Sequence, residues 1–248
     1  MKERILLFDI ETAPLISENW GFYEQNALRV VRASFLICFA YKWLGDKTIR
    51  AISPLTHHGR KMADDKKRVK ALWDLFNKAD VVVAHNGDSF DIRLAMAYFV
   101  HNGLPPPRPF KSVDTKKVAK RHFRFYANKL DELGAYLGFG RKLFHPGYTL
   151  WVDCMDGKRK AIEKMVEYNK RDVELLEQIY LRLRPYMDNH PNYNVILDRI
   201  TACPNCGGKT LQARGFYITR VSKAQRYHCQ TCGAWSHGKL HTNDVELR

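Results

Sequence analysis

"LLFDIET", Leu6 to Thr12, is an apolar run that closes on two acids, Asp9 and Glu11. With the residues before it, "ERILLFDI" (3–10), it predicts a buried strand. Residues i and i+2 of a strand project to one face. The two carboxylates therefore stand side by side on an element otherwise suited to a core. Acids at strand ends are often merely solvated. The other reading is that a cation sits between them and offsets their repulsion, and acids elsewhere in the chain decide between the two.

The surrounding elements set the fold. "ASFLICFAYKW" (33–43) predicts a long buried strand, and "KTIRAIS" (47–53) a third strand paired with it as a hairpin through "LGDK". In "DDKKRVKALWDLFNKA" (64–79), Val69, Leu72, Trp73 and Phe76 fall at i, i+3, i+4 and i+7, which predicts a helix. "DVVVAH" (80–85) is a short buried strand, and "SFDIRLAMAYFVHNG" (89–103) a helix closed at Gly103. "FKSVD" (110–114) is a further strand, and Asp114 is placed to cap the helix "TKKVAKRHF" after it. "KLDELGAYLGFG" (129–140) is a short helix, and residues 157–187 hold one long amphipathic helix broken at Pro185. Three antiparallel strands followed by alternating helices and parallel strands make an α/β protein, a mixed sheet flanked by helices. The polar, turn-rich "DNHPNYN" (188–194) marks a boundary. It predicts one domain over 1–190 and a smaller unit over 191–248.

The net charge is +15, from 41 Lys and Arg against 26 acids, and favours a polyanionic partner such as nucleic acid over a plain solubility charge. Both parts are basic: residues 200–248 hold seven Lys or Arg against two acids, the rest 34 against 24. No apolar run reaches the roughly 18 residues of a membrane span, and the N-terminus lacks a signal-peptide pattern. The expectation is a cytoplasmic protein with no membrane partner.

Two further segments carry acids. "HNGDSFDIR" (85–93) follows a buried strand, opens a helix, and offers Asp88 and Asp91. Helix capping accounts for one of them and does not need the second. In "EYNKRDVELL", Asp172 lies four residues after Tyr168, so the two share a helix face. Taken singly, Asp172 reads as an exposed partner for a Lys or Arg, and Tyr168 as a core aromatic with a wet tip.

Together "FDIET", "NGDSFD" and "YNKRD" resemble, in order and setting, the three motifs of the DEDD superfamily of 3′-to-5′ exonucleases. These enzymes have a ribonuclease H-like fold and include polymerase proofreading domains. The resemblance spans residues 4 to about 185, and "KLDELGAYLG" is similar to the helix before the last motif. It implies four catalytic, metal-holding carboxylates: Asp9, Glu11, Asp91 and Asp172. One branch of the family has His five residues before the last Asp, where this chain has Glu167; the other has Tyr four residues before it, and Tyr168 fits that branch. The resemblance further implies two Mg²⁺ or Mn²⁺ ions on oxygen ligands, about 3.5–4 Å apart. Asp9 would bridge them, Glu11 and Asp172 would hold the ion that activates water, Asp91 would act through the second ion, and Tyr168 would orient the water. Thr12 and Asn86 match positions that seat the terminal nucleotide. The segment 141–160, with His145 and Asp153, departs from the family pattern.

"KKVAKRHFRFYANK" (116–129) interleaves cations with aromatics. It reads either as a single-strand binding surface or as a solvated helix face. Lys120, Arg121 and Arg124, with Phe90 beside Asp91, are its candidate substrate contacts. Cys203, Cys206, Cys229 and Cys232 form two C-x2-C-G pairs separated by 22 residues. They resemble a zinc ribbon with one tetrahedral structural Zn²⁺, in preference to disulfides. His228, His237 and His241 are not needed as ligands. Cys38 and Cys154 stand alone and read as buried thiols. Between the pairs, a hairpin with Arg214, Arg220, Lys223 and Arg226 near Phe216, Tyr217, Tyr227 and Trp235 suits base stacking; a protein-docking role is the other reading.

The expectation is thus a ribonuclease H-like mixed sheet with a C-terminal zinc ribbon. It would act as a metal-dependent 3′-to-5′ exonuclease that releases nucleoside 5′-monophosphates from single-stranded nucleic acid, DNA ahead of RNA. The rivals are an endonuclease or resolvase on the same fold and a nucleic-acid-binding subunit of a replication or repair assembly.

Overall fold

β1 (Ile5–Thr12) is the central strand of a five-stranded sheet. Alternation sends Leu6, Phe8 and Ile10 into one core and Asp9 and Glu11 to the opposite face. The computed structural model describes residues 4–23, 26–59, 61–188, 190–196 and 201–242. These fall into two units, Arg4–Tyr180 and Leu181–Arg248.

In the first unit, β2 (Ile16–Glu18) and β3 (Arg29–Arg32) form a separate two-stranded hairpin. β4 (Leu36–Trp43) runs antiparallel to β1, and β5 (Arg50–Ile52) antiparallel to β4. α1 (Lys66–Phe76) leads to β6 (Val81–Ala84), parallel to β1. α2 (Asp91–His101) leads to β7 (Lys111–Asp114), parallel to β6. Then come α3 (Thr115–His122), α4 (Leu130–Tyr136), α5 (Tyr148–Met155) and α6 (Arg159–Leu183). The strand order is β5-β4-β1-β6-β7, antiparallel first and parallel later, the mixed sheet that the sequence predicts.

On the first face, Phe76 is the hub of edge-to-face contacts with Phe8, Phe99 and Phe110, at centroid distances of 5.1, 5.5 and 5.2 Å. Arg68 is buried there, donating to the carbonyls of Leu36 and Met62 at 2.9 Å each, which anchors α1 to β4. A second cluster packs Ile37 and Cys38 of β4 against Leu150 and Cys154 of α5 and Ile162, Met165 and Tyr168 of α6. Cys38 and Cys154 are the buried free thiols expected. Asp114 caps α3, accepting from the amides of Lys116 and Lys117.

Two elements escape the sequence reading. The β2–β3 hairpin leaves Trp20, Phe22, Leu28 and Val31 exposed, so it lacks the alternation that marks a half-buried strand. α5 lies between two glycines in the left-handed region, Gly147 (φ 70°) and Gly157 (φ 77°), and is only eight residues long.

In the second unit the end of α6 passes into a 3-10 turn, Arg184–Tyr186, at Pro185. β8 (Leu211–Ile218) and β9 (Ser222–Cys229) form the expected hairpin, and β10 (Trp235–His237) and β11 (His241–Thr242) also pair with β9. Among the described residues, no helix is long and apolar enough to cross a membrane.

Candidate active site and four-cysteine centre

The end of β1 meets the middle of α6. Carboxylate oxygens of Asp9, Glu11 and Asp172 lie within 4.8 Å of one another. Tyr168, one helical turn before Asp172, packs into the same corner and is buried, as Asp172 is. Asp91 is the first residue of α2, is also buried, and accepts from the Ile10 amide at 3.4 Å. It adjoins Asp9 and raises that group's pKa, but it stands outside the three-acid cluster.

Three residues that the sequence did not single out hold these acids. Asn169, fully buried on α6, donates Nδ2 to Asp9 Oδ2 at 2.6 Å and to the Asp9 carbonyl at 3.2 Å. Trp151 on α5 lies beside Glu11, and its indole lowers the pKa of that carboxyl. The Lys142 ammonium lies 2.7 Å from Asp172 Oδ2 and donates to the Tyr168 hydroxyl at 2.8 Å. Asn169 sits inside the quoted "YNKRD" and was legible by position. Lys142 and Trp151 come from 141–160, whose role no pattern announced. In that segment His145 packs edge-on against Tyr168 at 4.9 Å, whereas Asp153 pairs with Lys158 at 2.6 Å.

Without an ion, the cluster resists carrying its full charge. Burial, then Asp91, Asp172 and Glu11, push Asp9 well above the ordinary carboxylate range. Burial and then Asp172 push Glu11 up to about 8. Burial lifts Asp91 to about 7 against the pull of the Ile10 amide, and Asp172 to about 6 against Lys142. Burial followed by Asp172 pushes the Tyr168 hydroxyl up to about 12, so it stays protonated at neutral pH. Burial disfavours the Lys142 ammonium, but Asp172 and Tyr168 outweigh it and hold its pKa above the lysine range.

These groups fit divalent ions. Two oxygens on one Mg²⁺, at about 2.1 Å each, are at most about 4.2 Å apart, so the observed spacing needs little adjustment. Asp172 Oδ1 is buried and has no hydrogen-bond partner, a costly state that a cation relieves. The donor set is all oxygen, as Mg²⁺ and Mn²⁺ prefer.

The turn from β6 into α2 is tightly made. Asn86 has φ 70°, a left-handed conformation that Asn tolerates. A Cβ on Gly87 would meet the Ala84 Cβ at 2.5 Å, so a side chain there forces the turn to move. Asp88 is engaged elsewhere, with Ser112 and Lys117 at 2.7 Å each, which leaves Asp91 facing β1. Phe90 is half exposed at the head of α2. Thr12 lies just past a register shift in β1, between Glu11 and Thr12. Lys120, Arg121 and Arg124 do not line the cavity that opens on Asp9; Lys116, Lys129 and Lys142 do.

In the second unit, sulfur atoms of Cys203, Cys206, Cys229 and Cys232 lie within 4.8 Å of one another. The pairs Cys203–Cys232 and Cys206–Cys229 are 3.7 Å apart, too far for disulfides. A tetrahedron with Zn–S bonds of about 2.3 Å has edges of about 3.8 Å, so the cluster is consistent with a zinc ribbon. Backbone amides already point at the sulfurs, from Gly208 to Cys206 at 3.4 Å and from Cys232 and Thr231 to Cys229. A Cβ on Gly208 would come within 2.7 Å of the Thr231 hydroxyl and 3.2 Å of the Cys206 sulfur, so glycine keeps that turn closed. His228 and His237 stand outside the cluster: His228 stacks on Trp235 at 4.6 Å and His237 on Tyr217 at 4.4 Å. On the hairpin, Lys223 lies over Phe216 at 4.1 Å and Arg226 over Trp235 at 5.0 Å, and both rings are about half exposed.

No curated protein sequence matches the chain. Among solved structures, it is similar to the family B DNA polymerase from the hyperthermophilic archaeon Pyrobaculum calidifontis, with 16% identity and a TM-score of 0.52. The likeness covers 89% of this chain but only 32% of the polymerase, so the shared feature is a fold that makes up about a third of the larger enzyme. The family model RNase_H_2 matches residues 6–184, a stretch that takes in Asp9, Glu11, Asp91, Tyr168 and Asp172, and the chain belongs to the RNase_H superfamily.

Proposed function

We propose that the chain is a metal-dependent 3′-to-5′ exonuclease acting on single-stranded nucleic acid, with DNA ahead of RNA. The observation that carries this reading is Tyr168 one turn before Asp172, both buried against Asp9 and Glu11. DNA is favoured because the structural neighbour is a DNA polymerase.

In this reading Asp9, Glu11, Asp91 and Asp172 hold two Mg²⁺ or Mn²⁺ ions. When bound, those ions supply Lewis-acid activation and offset charge at the phosphoryl group. The chain's own residues do the positioning. Asn169 fixes the Asp9 carboxylate, and Trp151 lies beside Glu11, where its indole favours the charged form that an ion would need. Tyr168 accepts from Lys142 with one lone pair and keeps the other for a water molecule. Hydrolysis adds that water's hydroxyl to phosphorus and its proton to the departing 3′ oxygen, and frees a nucleoside 5′-monophosphate. Residues 1–190 constitute the nuclease. Residues 191–248 form a ribbon with one structural Zn²⁺ on the four cysteines, whose exposed aromatics and cations help to retain the strand.

The test is cleavage of 5′-labelled single-stranded DNA and RNA oligonucleotides with Mg²⁺, Mn²⁺ or EDTA. A metal-dependent ladder shortening from the 3′ end is expected, faster on DNA. Internal cuts would replace the exonuclease with an endonuclease, and binding without cleavage in any metal would leave a nucleic-acid-binding protein.

A further inference from the structure

The cavity beside Asp9 is edged by three lysines from three different segments: Lys116 in the first turn of α3, Lys129 just before α4, and Lys142 in the loop after it. His85 and Asp131 complete the wall that matters here. We propose that this cavity is a phosphate subsite, in which Lys116 and Lys129 grip a phosphodiester of the same strand, next to the one being cut. The inference rests on the exonuclease reading for its substrate class.

Charge accounting supports it. Asp131 is already committed, accepting from the Lys142 amide at 2.7 Å and pairing with Arg141. Lys142 is bound to Asp172. His85 adds no charge: its ring nitrogens face the Thr115 hydroxyl at 2.9 Å and the Asn128 carbonyl at 3.0 Å, and burial lowers its pKa to about 4. Among the described residues Lys116 and Lys129 make no ion pair, whereas Lys142 on the same wall is paired with Asp172 and neighbouring Lys117 on α3 with Asp88, each at 2.7 Å. Two uncompensated ammonium groups therefore face a cavity whose floor is a metal-seeking carboxylate. A phosphodiester satisfies both ends of that arrangement: its bridging chain continues to the acid cluster while its non-bridging oxygens meet the lysines. A small neutral ligand uses neither.

The lysines also explain how a basic segment is divided. Lys120 and Arg124 of the same stretch are exposed but do not edge this cavity, so the aligned part of "KKVAKRHFRFYANK" is its two ends rather than its middle. The fold brings those ends together because His85 ties the tip of β6 to Thr115 and Asn128, one residue before each lysine.

The experiment is equilibrium binding of a fluorescein-labelled oligothymidylate of about 12 nucleotides, followed by polarisation across a series of salt concentrations with the full, zinc-loaded chain in buffer from which Mg²⁺ and Mn²⁺ have been dialysed and to which no chelator is added. Without those ions there is no hydrolysis, so the result does not depend on activity. Each phosphate contact on a single strand contributes about 0.7 to the slope of log K against log salt. Lys116→Ala and Lys129→Ala should each lower the slope by about that amount, and the double variant by about 1.4. Lys70→Ala, which removes an exposed lysine paired with Asp74 on α1, should leave it unchanged. An unaltered slope in the double variant, with an unchanged melting temperature, would overturn the subsite. So would a wild-type chain that does not bind the strand at all. A wild type that binds with a lysine-dependent slope yet never cleaves in Mg²⁺ or Mn²⁺ would sustain the subsite and sink the exonuclease reading instead.

Discussion

Asn169 Nδ2 lies 2.6 Å from Asp9 Oδ2, and this bond fastens the middle of α6 to the first of the two acids of β1 across 160 residues of sequence. Asn169 is wholly buried, and the same amide nitrogen also donates to the Asp9 carbonyl at 3.2 Å, so both of its donor bonds go to one residue. Asn169→Ala removes a donor from a buried acceptor that repels its neighbours. A loss of about 1–3 kcal/mol is expected, read by urea denaturation in EDTA. Asn169→Asp should be worse, since it adds a fourth carboxylate to the cluster. If both variants keep wild-type stability, the bond is incidental to the fold.

The acid pair was legible because the signals are local. A strand alternates, so Asp9 and Glu11 share a face; a helix repeats, so Tyr168 and Asp172 share one. What stayed hidden depends on tertiary approach. Lys142 reads as one more surface lysine until the loop before α5 folds over Tyr168. Trp151 reads as core until its indole meets Glu11. The basic run after β7 reads equally as a strand-binding surface or a solvated face, and which of its cations face Asp9 is set by His85 and by the start of α4, not by the run itself. The β2–β3 hairpin had no core to pattern it, so no periodicity could reveal it.

Tyr168→Phe keeps the ring in its packing against His145 and Trp151 and removes only the hydroxyl. Cleavage should slow by about 100-fold, the lower end of the range for loss of one positioned polar group. Mn²⁺ affinity, read by calorimetry, should stay within a few-fold of wild type. An unchanged turnover rate removes the water-positioning role.

Lys142→Met deletes a cation from the acid cluster while leaving a similar aliphatic stem. The ammonium competes with divalent ions for Asp172, so its loss should tighten Mn²⁺ binding on the order of tenfold, the scale of one unit charge a few ångströms away at partly screened distance. Turnover should fall at saturating metal, because Tyr168 loses the partner that orients its hydroxyl. Weaker ion binding in the variant would reverse this account and make Lys142 a support for the site rather than a competitor.

The raised pKa values predict an inverted pH profile for the metal-free chain. Burial, joined at Glu11 by repulsion from Asp172 and opposed at Asp172 by Lys142 and at Asp91 by the Ile10 amide, holds Asp172 near 6, Asp91 near 7 and Glu11 near 8 when folded, against about 4 in the unfolded chain. Between those limits the folded state binds more protons than the unfolded state, so stability falls as pH rises from about 4 to about 8. With zinc in place and Mg²⁺ and Mn²⁺ dialysed away without chelator, the melting temperature should decline across that window. Mg²⁺ or Mn²⁺ should restore it, with a larger gain at pH 8 than at pH 6. A metal-free melting temperature that rises with pH, with an ion effect that does not depend on pH, is incompatible with the charge state assigned to the cluster.

The four-cysteine centre predicts a separation between binding and chemistry. A unit of this size, whose buried apolar cluster consists mainly of the cysteines and Ala234, has little else to hold it. Its folding should therefore require the metal. Cys206→Ser should lower bound zinc, measured by a chromogenic chelator after denaturation, from one per chain towards none. It should also loosen the hairpin that presents Phe216 and Trp235. Removal of residues 200–248 should weaken single-strand affinity several-fold more than it lowers turnover at saturating substrate, because the carboxylates, Tyr168 and Lys142 all lie in the other unit. If affinity is unchanged and the shortened chain cleaves normally, the ribbon does not hold nucleic acid, and its exposed rings are left for a protein. If turnover collapses while affinity holds, the ribbon acts on the chemistry, and its separation from the nuclease is wrong.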